Sequence, residues 1–408
     1  MSVYGKEIER GRALKNGGKK TVGFVTGSRA DYGIMRRFLK MLEEDERIEL
    51  KILVTGALLS DTYGKQVSLI YEDGFAVAAK IEIPLDSSSD RMILHTMAEA
   101  MDKFALCFGE QEYDLLMILG DRYEMLSAAV SAAMQKIPIL HIHGGEATYG
   151  NYDEFIRHGI TKMSLYHFTA TEEYRNRVIQ LGEHPDRVFS LGALGAENCL
   201  FMDEKNVPDD VKALERKGYF VVLFHPETLT NMDVVRQMEE LLSAAGDFPE
   251  YRFVFLGANA DTNSGIIRRM TAEFVDRNKN CIYFENLHTD AYHYLLKNSI
   301  CLVGNSSSGL IEAPSLGIYT VNIGDRQKGR VRGNSVIDVE CRRDRIVNAV
   351  RSVMELCGET PVNPYYQENS AGKYYEKLTE LLGRVEKDRL RPKEFYDLCP
   401  VCGGETIK

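Results

Sequence analysis

Residues 115–164 constrain the fold more than any other part of the 408-residue chain. Leu115-Leu116-Met117-Ile118-Leu119 is a continuous apolar run, too short for most helices, and reads as a strand buried on both faces of a parallel sheet. Gly120 closes it, and Asp121 and Arg122 sit just past its carboxyl end. Residues 124–135 are rich in Ala and Met at helical spacing. Pro138-Ile139-Leu140-His141-Ile142-His143 then returns as a second strand, which completes a βαβ unit. Open α/β sheets bind ligands beyond the carboxyl ends of their strands, so Asp121, His143 and Glu146 are expected on one rim. Asp153, Glu154, Arg157 and His158 follow, with Asp153 and Arg157 one turn apart if that segment is helical. Each has a structural alternative, an i,i+4 ion pair on a solvated helix or, for Asp121, a helix cap. So many ionisable groups at two neighbouring strand ends point instead to a site.

The rest of the chain extends the pattern. Residues 21–26 form a β-rich run that Gly27-Ser28-Arg29-Ala30-Asp31-Tyr32-Gly33 turns into a helix over 34–42. Small residues there suit an anion loop, with Arg29 adding charge; the alternative is a tight turn in which Asp31 caps the helix. It is neither G-x-G-x-x-G nor a Walker A sequence. Strands at 50–55 and 76–83 and a helix at 91–108 lead to the central run. Strand 165–170, helix 172–181 and strand 188–191 follow. Residues 192–217 are polar and weakly patterned, and hold the domain connection. A second series runs through strand 219–224, helix 238–245, strand 252–256, helix 266–275, strand 281–284 and strand 300–303, with a helix starting near Leu310. This alternation is the α/β signature. It predicts two Rossmann-like doubly wound domains, 21–200 and 218–355, facing across a cleft. An N-terminal arm (1–20) and a C-terminal helical segment with a C-x-x-C tail (356–408) flank them.

In the second domain, Gly304-Asn305-Ser306-Ser307-Ser308-Gly309 opens the helix near Leu310, so Ser306 and Ser307 form a candidate anion cradle at its N-terminus, with Glu312 placed to accept from a ribose. Serines also cap helices for structural reasons alone. His225 ends its strand beside Pro226 and is a candidate phosphate or proton partner, although lone histidines are often structural. Lys328-Gly329-Arg330-Val331-Arg332-Gly333 is a compact basic loop, suited to a diphosphate or simply solvated.

A net charge of −10 argues against an extended nucleic-acid surface. No stretch approaches the roughly 20 apolar residues of a membrane span, and residues 1–20 carry no signal core, so a cytoplasmic protein is expected. Six of the eight cysteines are scattered as core filling would be. Cys399-Pro400-Val401-Cys402-Gly403-Gly404 has the shape of one zinc knuckle but lacks a second ligand pair, leaving a site shared between chains as the version to test. His141 and His143, two apart on a strand, point to one side and form the other candidate metal pair; the cationic side chains nearby make a metal unnecessary.

Taken in order, Gly27-Ser28-Arg29-Ala30-Asp31-Tyr32-Gly33, Gly120-Asp121-Arg122, His141-Ile142-His143-Gly144-Gly145-Glu146, Asp153-Glu154-Phe155-Ile156-Arg157-His158, Phe224-His225-Pro226-Glu227-Thr228 and Gly304-Asn305-Ser306-Ser307-Ser308-Gly309 resemble the motifs of hydrolysing UDP-N-acetylglucosamine 2-epimerases, in particular those of bacterial sialic acid biosynthesis. The resemblance spans residues 20–353. It implies a glycosyltransferase-B-like fold and the conversion of UDP-N-acetylglucosamine and water to N-acetylmannosamine and UDP, without a cofactor. It also implies that Asp121, Glu146 and Asp153 or Glu154 are the acid and base carboxylates. By the same resemblance His225 and Arg29 meet the diphosphate, Ser306 and Ser307 hold phosphate, and Glu312 holds the ribose. Arg122, His143, Arg157, His158 and Arg330 complete the candidate substrate contacts. A homo-oligomer, dimer or tetramer, is expected. UDP-N,N'-diacetylbacillosamine 2-epimerases of legionaminic acid biosynthesis and glycosyltransferases on the same fold are the alternatives.

Overall fold

The computed structural model of the protein describes residues 18–86, 89–149, 152–227, 232–257, 264–356 and 360–398. Most of the expected N-terminal arm and the Cys399 to Cys402 motif lie outside the described residues.

The strands of the first domain are β1 (Lys20–Thr26), β2 (Ile48–Thr55), β3 (Val77–Ile81), β4 (Leu115–Leu119), β5 (Ile139–Ile142), β6 (Tyr166–Thr169) and β7 (Val188–Ser190). They form one sheet in the order β3-β2-β1-β4-β5-β6-β7, with every neighbouring pair parallel. All five residues of β4 are buried, as its unbroken apolar run requires of a central parallel strand. The second domain contains β8 (Tyr219–Leu223), β9 (Arg252–Leu256), β10 (Cys281–Phe284), β11 (Cys301–Gly304), β12 (Tyr319–Ile323) and β13 (Val336–Val339), in the parallel order β10-β9-β8-β11-β12-β13. Each sheet therefore reverses direction once, between β1 and β4 and between β8 and β11. Crevices open at such reversals, because the flanking connections leave on opposite faces.

Local chemistry moves several element ends from their expected places. The first helix spans Arg29–Glu43 rather than beginning at Ile34, because the Ser28 hydroxyl accepts from the Asp31 N–H at 3.2 Å and caps it. Asp31 is thus inside the first turn and is not the cap. A helix absent from the sequence reading, Thr289–Asn298, starts where the His288 ring accepts from the Asp290 N–H. Residues 192–217 are a string of short turns between the sheets, including Leu194–Asn198 and Asp209–Lys212.

The C-terminal helix, Ser370–Arg389, crosses back to the first domain. Its buried stripe of Tyr374, Leu378, Leu381, Leu382 and Val385 joins the core beneath the Arg29–Glu43 helix, where Tyr374 meets Phe38 edge-on at 5.6 Å between ring centres. Residues 391–398 then run on across the same domain. The described cysteines, Cys107, Cys199, Cys281, Cys301 and Cys341, are unpaired, in agreement with core filling.

Candidate active site

The loops leaving β1 and β4 in one sheet and β8 and β11 in the other meet across the cleft between the domains. In the second domain this junction is tight. Gly304 has φ +148°, and a Cβ there would sit 2.0 Å from the Leu223 carbonyl oxygen, so β8 and β11 approach as closely as only glycine permits. The Asn305 side chain locks the pair, its oxygen accepting from the His225 N–H at 2.7 Å and its amide donating to the His225 carbonyl at 2.9 Å. Gln327 donates to the Asn305 carbonyl at 2.7 Å, which ties in the loop after β12.

One half of the cleft is an apolar slot of about 160 Å³, walled by Leu223, Leu256, Phe284 and Leu287 and floored by Ser306 to Ser308. Arg29 enters it from the first domain and donates to the Leu287 carbonyl at 2.7 Å. At its end stands Glu312, which accepts from His293 Nε2 at 3.0 Å. Burial pushes the Glu312 carboxyl up, but the His293 hydrogen bond, the His293 charge and a Ser308 hydrogen bond together hold it below its ordinary value. The helix behind the serines is a single turn, Ser308–Ile311, followed by a 3-10 turn, Ala313–Leu316. So short a helix has little macrodipole, and the floor of the slot offers the hydroxyls and N–H groups of the serines instead of the helix end expected from sequence.

The other half is charged and lined by Asp31, Asp121, Arg122, Asp153, Arg326 and Arg330, among others. Ser307, Ala30 and Ile34 border both halves, which makes the cleft continuous. Beneath it lies Arg157, 1% exposed, on the Asp153–Met163 helix. Its guanidinium is bonded to Asp121 and donates to Thr148 Oγ1 at 2.8 Å, Glu154 Oε2 at 3.0 Å and the Glu146 carbonyl at 3.0 Å. This is a different pairing from the Asp153–Arg157 bridge weighed from sequence. Burial would raise the Asp121 carboxyl, yet Arg157 and then Arg330 hold it below its ordinary value. Glu154 accepts from His158 Nε2 at 3.1 Å and from the Thr148 N–H at 2.6 Å as well. Against the effect of burial these donors bring it down to about 2, so Glu154 stays ionised and positions Arg157.

Glu146 is 2% exposed and sits behind Arg330, bonded to it at 2.7 Å across the domain boundary. His143 turns through a left-handed φ of 65° after β5, which brings its Nδ1 to 3.9 Å from Glu146 Oε1. The His141 ring instead spans the Gly120 carbonyl (2.9 Å) and Thr161 Oγ1 (3.0 Å). With Nε2 donating to a carbonyl, Nδ1 must accept from the threonine, and burial lowers this ring to about 3, leaving it neutral. The two histidines therefore do not form the one-sided metal pair considered from sequence.

Of the residues singled out from sequence, the structure brings Arg29, His225, Ser306, Ser307 and Glu312 to the apolar half and Asp121, Arg122, Asp153, Ser307 and Arg330 to the charged half. Glu146, His143, Glu154, Arg157 and His158 form the layer behind them. Sequence reasoning passed over Asp31 as a site residue. Its carboxyl lines the charged half with one oxygen, Oδ2, buried and unpartnered, and burial lifts it to about 6. It also missed His293, the partner of Glu312, whose only signal was a polar segment of mixed pattern.

The chain matches the family described as UDP-N-acetylglucosamine 2-epimerase over residues 40–379. It is 45% identical over 390 residues to the polysialic acid biosynthesis protein P7 of Escherichia coli, covering 94% of this chain and 98% of that one. It is 34% identical over 368 residues to the UDP-N,N'-diacetylbacillosamine 2-epimerase (hydrolyzing) of Legionella pneumophila, covering 89% and 95%. The fold superposes on the UDP-GlcNAc 2-epimerase of Neisseria meningitidis, solved bound to UDP-GlcNAc, with a TM-score of 0.73, 18% identity, and coverage of 88% of this chain and 100% of that one. With the motif-bearing loops of both sheets gathered on one cleft and the match extending over most of its length, the chain belongs to the UDP-N-acetylglucosamine 2-epimerase family.

Proposed function

We propose that the protein is a hydrolysing 2-epimerase that converts UDP-N-acetylglucosamine and water to N-acetylmannosamine and UDP in the cytoplasm, as a step of sialic acid biosynthesis, and works as a homo-oligomer. The observation that supports this reading is the continuity of the cleft at Ser307, with an apolar slot ending in a carboxylate on one side and a cluster of acids and guanidinium groups on the other. Such a cleft suits uracil against Leu223, Leu256 and Phe284, ribose hydroxyls donating to Glu312, and a diphosphate at Ser306, Ser307, His225 and Arg29. The sugar then falls among Asp31, Asp121 and Asp153.

The chemistry follows from what the sugar lacks. Its C2 proton is not adjacent to a carbonyl, so it becomes acidic only as the C1–O bond breaks and C1 gains cationic character. The electron pair of that bond leaves with UDP, and the hydroxyls, N–H groups and cations around the diphosphate stabilise it. A cleft carboxylate takes the C2 proton and the C1–C2 double bond forms. A second acid then protonates C2 on the opposite face, and water adds its oxygen to C1 and gives up one proton to a cleft carboxylate. Asp121, kept ionised by Arg157, suits the stabilisation of positive charge at C1. Asp153 and Asp31 are the carboxyls assigned to proton exchange at the cleft, and Glu146 holds Arg330, the second cation bearing on Asp121. Likeness to the Legionella protein favours UDP-N,N'-diacetylbacillosamine as the second substrate reading, and the higher identity to the polysialic acid protein favours N-acetylglucosamine.

Proton NMR of the enzyme with UDP-N-acetylglucosamine in deuterated water tests the proposal. Free N-acetylmannosamine carrying deuterium at C2, with one UDP released per sugar, is the expected result. Consumption of the diacetylbacillosamine nucleotide alone would transfer the mechanism to that substrate. UDP release only when a sugar acceptor is added would replace the proposal with glycosyl transfer.

A further inference from the structure

Lys393 lies in the strap that follows the C-terminal helix, more than 230 residues from the carboxylate cluster in sequence, and the mechanism above does not use it. Its ammonium converges on the C-terminal end of the Asp153–Met163 helix. It donates to the carbonyls of Lys162 at 2.7 Å, Ser164 at 2.6 Å and Thr161 at 3.3 Å, and it pairs with Glu183 Oε2 at 2.9 Å. The Thr161 carbonyl also accepts from the Ser164 N–H at 3.1 Å; carbonyls at a helix end carry the negative pole of its dipole, and a cation is the complement they take. Glu183 is itself buried, 1% exposed, and is shared with Lys162 Nζ at 2.6 Å and His167 Nε2 at 3.1 Å. The strap is held over this spot by the Tyr396 N–H, which donates to the Gly182 carbonyl at 2.9 Å, and by the Tyr396 ring against His184 at 5.0 Å.

The same helix carries the charged layer at its other end. Thr161, whose carbonyl meets Lys393, gives its hydroxyl to His141, and His141 gives its Nε2 proton to the Gly120 carbonyl, one residue before Asp121. A continuous bonded path therefore runs from the strap to the loop that bears Asp121, parallel to the helix that delivers Arg157 to it.

We infer that Lys393 is a positioning residue for the reaction: by clamping the C-terminal carbonyls of the Asp153–Met163 helix against Glu183 it fixes the axial place of that helix, and with it the seating of Arg157 on Asp121. The inference rests on the proposed epimerase chemistry of the charged half. The second domain holds the serine cradle, Glu312 and most of the slot wall, so UDP affinity serves as a readout that a displaced Asp153–Met163 helix leaves intact.

The test is steady-state kinetics of Lys393→Met beside Tyr396→Ala, which loosens the strap but leaves the Lys393 contacts, with melting temperature followed for both. The expected result is that Lys393→Met lowers kcat by about ten- to a hundredfold, the scale of a misplaced catalytic group. KM and the dissociation constant for UDP should stay within about twofold, and Tyr396→Ala should keep near-normal kcat despite a similar loss in melting temperature. If Lys393→Met does not fold, Lys393→Gln, which keeps two N–H donors without the charge, carries the same comparison. Unchanged kcat, a rise in KM alone, or an equal fall in kcat for Tyr396→Ala would overturn the inference. Loss of all turnover in the wild-type enzyme with every UDP-sugar tried would instead defeat the epimerase proposal and leave the structural clamp standing.

Discussion

Replacing Arg157 by methionine tests the charged layer most directly. The guanidinium is almost fully buried and serves four acceptors, two of them carboxylates. Glu154 keeps the Thr148 N–H and His158 when Arg157 is removed, so the loss falls on Asp121, left with Arg330 as its remaining cation. Removing one partner of a buried ion pair costs about 3–5 kcal/mol, because the other charge remains out of water. The pH dependence separates this from a packing defect. In the wild type the Asp121 carboxyl lies below its ordinary value, so its stabilising contribution is present above the unfolded value and is lost as pH falls through the folded one. In Arg157→Met burial is no longer offset by that guanidinium and the carboxyl moves up, so the variant loses stability as pH rises. The gap between the two proteins should therefore be largest near neutrality and close as pH falls through about 4, the range in which a free aspartate protonates. The chain has no tryptophan, so urea unfolding is followed by far-UV circular dichroism. A gap under about 1 kcal/mol that does not change with pH would refute the claim that Arg157 holds Asp121 ionised.

Two further predictions concern groups on either side of that layer. In a double-mutant cycle on Glu146→Gln and Arg330→Met, the ion pair across the domain boundary should show a coupling of about 1–3 kcal/mol in urea unfolding; no measurable coupling would mean that the domains stand apart in solution. Asp31 is raised from 3.8 to about 6, so the native state is penalised progressively as pH rises through that window. Asp31→Asn should therefore gain at most about 3 kcal/mol on the wild type above pH 6 and nothing near pH 4, with turnover reduced; an offset constant from pH 4 to 8 would count against the buried carboxyl.

What was legible in the sequence follows from how local each determinant is. β4 and β5 declare themselves because a central parallel strand is apolar at every position, and the loops after β1, β4, β8 and β11 stood out because glycine and polar residues interrupt such runs abruptly. The Arg157 pairing was not legible. Helical spacing offers Asp153 as its neighbour, whereas its partner Asp121 is 36 residues away and reaches it only because β4 and β5 are adjacent. The Thr289–Asn298 helix escaped notice since three of its buried residues, Asp290, His293 and Asn298, are polar and blur the apolar stripe. His293 is nonetheless what fixes Glu312. The C-terminal helix shows a clear stripe, but periodicity does not say which domain the stripe covers.

The two sheets carry the same strand order around their reversals and no recognisable sequence identity, and the difference between their loops divides the chemistry. Burying Arg157, Asp121, Glu154, Glu146 and Arg330 together is not an economical way to stabilise a domain, since well-packed apolar side chains of similar volume often do as well or better. Such a layer does hold charges fixed before any ligand arrives. A preorganised field acts where charge develops without reorganising during the reaction, an effect that is largest away from water. Under the proposed function the apolar slot of the second domain needs no such layer, because recognising a flat base and a ribose takes surface and one oriented carboxylate. The Glu146–Arg330 pair then couples the halves: Arg330 belongs to the domain with the slot, yet it completes the charge balance of the other. Separating the domains would strip Glu146 of its cation, so the charged half is electrostatically complete only when the cleft is assembled.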